Sequence, residues 1–162
     1  MPERQIAVAT MLWDANRASY DFSSMYDESW VLKLFRGVQR NLTSCTPRFV
    51  CYVDRPRHLP GWIEQRKIAN DPPTYRDFTQ PYELGGPMML MGLDTVIVGN
   101  LDAFAEHCLS ARRMALPAAI YRKNTVCNAV ALVPAGHEWV YATWDGSNDM
   151  AWLRLQHKRG KV

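Results

Sequence analysis

The chain has 162 residues, 48% of them apolar and 22% charged, with a formal net charge of +3. That length suits one domain, spanning residues 1–162, with a sizeable core, and the composition excludes a disordered or fibrous chain. A charge of +3 does not point to nucleic acid as a partner, and no apolar run is long enough to span a bilayer.

The basic residues Arg154, Lys158, Arg159 and Lys161 read as a solvated cationic tail. Four cysteines, Cys45, Cys51, Cys108 and Cys127, show neither CxxC nor Cys/His ligand spacing. They are expected as free thiols in a reducing compartment, which points to the cytoplasm. Met1 to Gln5 leads into too short an apolar run for a secretory signal, and a first strand is expected instead.

That strand is Ile6 to Trp13. A polar loop through Asp14, Asn16, Arg17, Tyr20 and Asp21 follows. Ser24 is then a good N-cap with Asp27 three residues on, and Val31, Leu34, Phe35, Val38 and Leu42 recur at helical spacing. The pattern predicts a helix over about Met25 to Leu42 that lies against a sheet. Arg48 to Asp54 is the second expected strand, stopped by Arg55-Pro56 and ending on an acid. Trp62 to Ala69 contains a short strand signal, Asp71-Pro72-Pro73 is a break, and Tyr75 to Leu84 reads as a short helix or as irregular.

Pro87-Met88-Met89-Leu90-Met91 is an unbroken apolar run, the signature of a strand buried on both faces. Gly92-Leu93-Asp94 ends it, and the β-branched run Thr95-Val96-Ile97-Val98 follows before the Gly99-Asn100 turn signal. A carboxylate at the end of a buried strand is costly unless it faces a site, a donor or water. Leu101 to Leu109 predicts a short helix. Met114 to Tyr121 predicts a strand that Pro117 pushes to a sheet edge, and Cys127 to Val133 predicts another. His137 to Trp144 and Asp149 to His157 predict two closing helices. Trp30 and Trp139 are expected in the core, whereas Trp13 and Trp144 are candidates for a pocket wall. The alternation of strands and helices predicts an α/β domain with a mainly parallel sheet. Ligands of such sheets bind beyond the C-terminal strand ends, where Thr10 to Trp13, Asp54 and Asp94 are expected.

Over roughly residues 6–136 the sequence resembles the nucleotide-sugar-dependent glycosyltransferases of the GT-A fold, particularly short bacterial and phage members distantly similar to glycogenin. Four pieces carry the resemblance, in order: Ile6 to Trp13 with the helix Tyr26 to Val38; Arg48 to Asp54; Leu93 to Asp102; and Asn128 opening a strand, with Gly136 after it. The resemblance implies a GT-A-like, C-terminally shortened domain of bacterial or phage origin. It also implies an Asp-x-Asp pattern that holds Mn²⁺ or Mg²⁺ on the donor diphosphate. Residues i and i+2 of an extended strand share a side, and hard oxygen ligands suit those ions.

By the same resemblance, Thr10, Met11, Leu12, Trp13 and Asp54 match nucleoside-pocket positions, and Arg76 matches a cation near the diphosphate. Asn128 matches a contact to donor sugar or acceptor, and Asp149, in Asn148-Asp149-Met150, echoes a later acceptor-site motif. The departure is Gly92, which stands where the family has its first acid and leaves Asp94 as the metal ligand. Three functions follow as expectations. The first is transfer of a sugar from a UDP- or GDP-type donor to a glycan or protein acceptor. The second is an inactive domain that binds a nucleotide sugar, a glycan or a protein. The third is a structural module, for example of a virion.

Overall fold

The computed structural model describes residues 4–19 and 23–162. The loop positions Tyr20 and Asp21 and the expectation for Met1 to Glu3 lie outside the described residues. Strand β1 (Gln5–Leu12) is buried along all but its first residue. It pairs in parallel with β2 (Thr46–Val53) on one side and with β4 (Met88–Met91) on the other. Strand β3 (Ile63–Lys67) extends the sheet in parallel beyond β2, and β5 (Val130–Val133) closes the far edge, antiparallel to β4. The five strands therefore run in the order β3-β2-β1-β4-β5.

Both faces are covered, which is why β1 and β4 are nearly continuous apolar runs. Successive side chains of a strand point to opposite faces. On one face Ile6, Val8, Leu12, Met89 and Met91 join Val31, Leu34, Phe35 and Val38 of helix α1 (Glu28–Asn41). Ala105 and Cys108 of helix α2 (Asp102–Ser110) belong to the same layer. On the other face Ala7, Ala9, Met11, Met88 and Leu90 pack with Tyr82 of the 3-10 segment Tyr75–Leu84. Val140 of helix α3 (Trp139–Ala142) and Trp152 and Leu153 of helix α4 (Asp149–Lys158) complete that layer. The result is an α/β domain with a mostly parallel sheet between two helical layers.

Several local expectations are corrected. Helix α1 begins at Glu28, because Asp27 and not Ser24 accepts from the Ser29 backbone N–H, at 2.9 Å. The predicted strand Met114 to Tyr121 is reduced to two isolated antiparallel bridges, Ala115 with Leu132 and Ala118 with Val126. Pro117 stands between them without an N–H to donate, although its carbonyl accepts from Cys127 at 2.9 Å. The run Thr95 to Val98 forms no strand, and Val98 is 92% exposed. His137 to Trp144 yields only the four-residue helix α3. Trp30 and Trp139, expected in the core, are only partly buried, each packed against one of the two core layers. The four cysteines are free.

Asp102, at the start of α2, accepts from the Thr43 and Ser44 backbone N–H groups at 2.7 and 2.9 Å and from the Thr43 hydroxyl at 2.7 Å. Asn100 also donates to it, at 3.0 Å. These donors, that of Asn100 foremost, hold its carboxyl well below the usual carboxylate range. The stretch after β4 is thereby fastened to the α1–β2 turn.

Candidate functional site

The chain runs from β1 outward to β2 and β3 on one side, whereas β4 lies on the other side of β1. The β1–β4 boundary is thus the point where the strand order reverses, and such a point leaves a crevice beyond the strand ends. A cavity of about 320 Å³ opens there. Met11, Leu12 and Trp13 from the end of β1 line it, together with Gly92, Leu93 and Asp94 from the end of β4. The volume lies in the range of small-molecule sites.

One wall is aromatic. Trp13, Tyr26, Tyr75 and Phe78 all line the cavity, with Trp13 and Tyr75 edge to face at a centroid distance of 5.5 Å. Ser19 fixes both rings: its hydroxyl accepts from the Trp13 indole N–H at 3.0 Å, and its carbonyl accepts from the Tyr75 hydroxyl at 3.3 Å. Tyr26, just before α1, turns its hydroxyl toward Asp94. Burial, with the Asp94 charge and hydrogen bond adding to it, pushes the Tyr26 phenol up.

Asn128, Ala129, Asp149 and Met150 complete the lining. The Asn128 amide donates to Asp149 Oδ2 at 2.9 Å, and both side chains are buried. Asp149 is the first residue of α4, beside its N-cap Asn148, whose side chain accepts from the Met150 N–H. Burial pushes the Asp149 carboxyl up, and the Asn128 hydrogen bond opposes it. Of the residues that the sequence nominates, Met11, Leu12, Trp13, Asp94, Asn128 and Asp149 therefore meet around one cavity.

The other nominated residues are elsewhere. Thr10 is fully buried, and its hydroxyl donates to the Met91 carbonyl at 2.8 Å, which ties β1 to β4. Asp54 follows β2 at the same sheet edge, but it accepts from the Asp14 backbone N–H at 2.9 Å and from Arg57 Nη2 at 2.7 Å. Arg57 also reaches Asp14 at 2.9 Å and Glu28 at 3.6 Å, with its own side chain only 3% exposed. Asp54 is thus engaged in an ion-pair hub rather than turned into the cavity. Arg76 is exposed beside the wall residue Tyr75 and is not itself among the lining residues. Trp144 donates its indole N–H to the Ser147 carbonyl and stacks near Tyr141, away from the cavity.

Sequence reasoning missed Tyr26, Tyr75, Phe78 and Arg57 as residues of this edge. The first three lie outside any strand, where no periodicity says which way a ring turns. Arg57 follows a proline break and carries no pattern of its own.

Among the described residues no group of three or more His, Cys, Asp or Glu side chains is arranged to hold a metal ion. Asp94 brings one exposed carboxylate to the cavity, and Gly92 brings none. That donor set fits Mg²⁺ or Mn²⁺ only when phosphate oxygens and water supply the other ligands, a mode of binding common for Mg²⁺. No protein-family model matches the chain, and the search of curated proteins finds no relative.

Proposed function

We propose that this cavity binds a UDP- or GDP-type nucleotide sugar and that the protein acts as a glycosyltransferase of the GT-A kind. The observation that carries the reading is the convergence of Asp94, Asn128 and Asp149 on one crevice at the strand-order reversal, which aromatic side chains also line. Trp13 and Tyr75 offer ring faces for a base or sugar, a contact that needs only an apolar surface. Asn128 and the buried Asp149 offer hydrogen bonds to sugar hydroxyls, with each holding the other in place. Asp94 is the hard oxygen that a nucleotide-borne Mg²⁺ or Mn²⁺ would share with the diphosphate. Such an ion, when bound, neutralises charge that develops on the leaving diphosphate.

The test is calorimetric titration of UDP and GDP, with and without Mn²⁺, into the wild type and Asp94→Ala. Expected is nucleotide binding that Mn²⁺ strengthens, with the Mn²⁺ dependence lost in Asp94→Ala. Nucleotide binding that ignores both Mn²⁺ and Asp94 would remove the metal from this reading, and no binding at all would remove the donor site.

Gly92 favours a second reading, in which the domain binds its nucleotide sugar, a glycan or a protein without catalysing transfer. One carboxylate holds a metal less firmly than two. Release of UDP from a UDP-sugar in the presence of Mn²⁺ separates the two readings, because a binding module leaves the donor intact.

A further inference from the structure

Between α2 and β5 the chain builds a hairpin that the donor cavity does not use. Ala118 and Val126 form an antiparallel bridge, and the Ala119 N–H donates to the Thr125 carbonyl at 2.9 Å. Asn124 completes the turn with a φ of 55°, in the left-handed region that asparagine tolerates better than most residues. At the tip stand Ile120, Tyr121, Arg122 and Lys123, all exposed, with Ile120 at 87% and Tyr121 at 96%. An aliphatic and an aromatic side chain held this far into solvent by an ordered turn contribute nothing to the fold. Their two immediate successors are cations.

The segment that carries the tip holds charge of one sign only. Residues 107–137 contain no Asp or Glu, while they carry Arg112, Arg113, Arg122 and Lys123. Those four cations exceed the net charge of +3 of the whole chain. An amphipathic tip of this kind matches an anionic lipid surface, where Lys and Arg meet head groups and Ile and Tyr enter the interface. Nucleic acid would engage the same cations, and the test below sets it against the bilayer.

We infer that the 119–125 hairpin tip docks the protein on an anionic lipid bilayer. Arg154 braces the base of the hairpin by donating to the Val126 carbonyl at 3.1 Å. Two residues further on, Asn128 lines the cavity. The docking itself does not depend on the donor-site reading, and its test contains no nucleotide.

The test is co-sedimentation of the full chain with phosphatidylcholine vesicles and with vesicles containing about 30% phosphatidylglycerol. Expected is binding to the anionic vesicles alone, weakened by about 0.5 M salt, which screens the surface charge. Ile120→Ser/Tyr121→Ser loses at least about tenfold in partitioning, since two inserting apolar groups are removed. Arg122→Glu/Lys123→Glu loses at least as much. Arg159→Glu/Lys161→Glu, on the basic tail, keeps most of the binding. All six positions are exposed, so the variants are expected to stay folded, which melting curves check. The inference is overturned if the wild type ignores anionic vesicles, or if Ile120→Ser/Tyr121→Ser binds them like the wild type. It is also overturned if the tail variant is the one that lets go, or if a labelled oligonucleotide is bound in preference to the vesicles.

Discussion

The missing side chain at Gly92 points at Asp94. A Cβ built on Gly92 lies 3.0 Å from Asp94 Oδ1 and 3.6 Å from the Ala129 carbonyl oxygen. Positions 92 and 94 therefore face one point, even though β4 ends at Met91 and Leu93-Asp94 form a turn. Gly92→Asp would set two carboxylates side by side once Asp94 swings by a few tenths of an ångström. Without metal the pair repels, and a stability loss of about 1 kcal/mol is expected at neutral pH. With UDP and Mn²⁺ the second oxygen donor raises affinity by about tenfold. Thermal melts and calorimetry on the same variant check both signs. A variant destabilised equally with and without Mn²⁺ would mean that position 92 cannot reach the metal.

Tyr26 faces Asp94 from the approach to α1, and its hydroxyl is placed to orient that carboxylate. Tyr26→Phe removes the hydroxyl and keeps the ring against the cavity wall. A fall of about tenfold in Mn²⁺-dependent UDP affinity is expected, the equivalent of one hydrogen bond to a charged group. Affinity in the absence of Mn²⁺ should change little. Calorimetric titration in both conditions reads the difference.

Asp149 and Asp102 should give opposite pH signatures. The carboxyl of Asp149 is held above its ordinary range by burial. The folded state therefore binds its proton more tightly than the unfolded state, and stability falls as pH rises through the shifted range. Asp149→Asn keeps an oxygen for the Asn128 amide and removes the charge, so it gains on the wild type at pH 7 and not at pH 3. Asp102 is held low by its donors. Its contribution is present at neutral pH and is lost as pH falls toward its depressed value, so Asp102→Ala is costly at pH 7 and matches the wild type in strong acid. Urea unfolding across that range checks both.

Arg57 is the cation that neutralises Asp54 and Asp14 at the end of β2. Arg57→Met leaves Asp54, only 16% exposed at its side chain, without its partner. Removal of one member of a buried ion pair typically costs about 3 kcal/mol or more. A loss of about 2–4 kcal/mol is expected, since Asp14 is solvated and can relax. Asp54→Asn/Arg57→Met should recover part of it, because no buried charge is then stranded. If the double variant is as unstable as the single, packing and not charge is what Arg57 supplies.

The nominated site divides along a physical line. Asp94 could be picked out because it ends an apolar run, where a polar side chain has few reasons to be, whereas Asn128 and Asp149 were nominated by the resemblance alone. They do meet at one cavity. Thr10 and Asp54 stood on equally good strand-end positions, yet Thr10 turns inward to the Met91 carbonyl and Asp54 is taken up by Arg57. A strand end fixes where a backbone emerges and leaves open which neighbour captures the side chain. Beyond Trp13, the aromatic lining was invisible for the same reason: Tyr26, Tyr75 and Phe78 lie on segments without strand periodicity, and only the Ser19 contact to Tyr75 and the packing of those segments aim the rings.

By itself the sequence determined the architecture at the level of layers. Runs such as Ile6 to Trp13 and Met88 to Met91 have no polar face to offer water, so they must form strands covered on both sides, and the apolar stripe of α1 must cover one of them. Only the tertiary structure decided that β4 lies on the other side of β1 from β2, which opens the crevice between Trp13 and Asp94. Strand order depends on pairing across long stretches of chain, and local patterning carries no record of it. The same holds for the 2.9 Å bond from Asn128 to Asp149: two polar residues far apart in sequence share one buried place because the sheet and α4 bring them there.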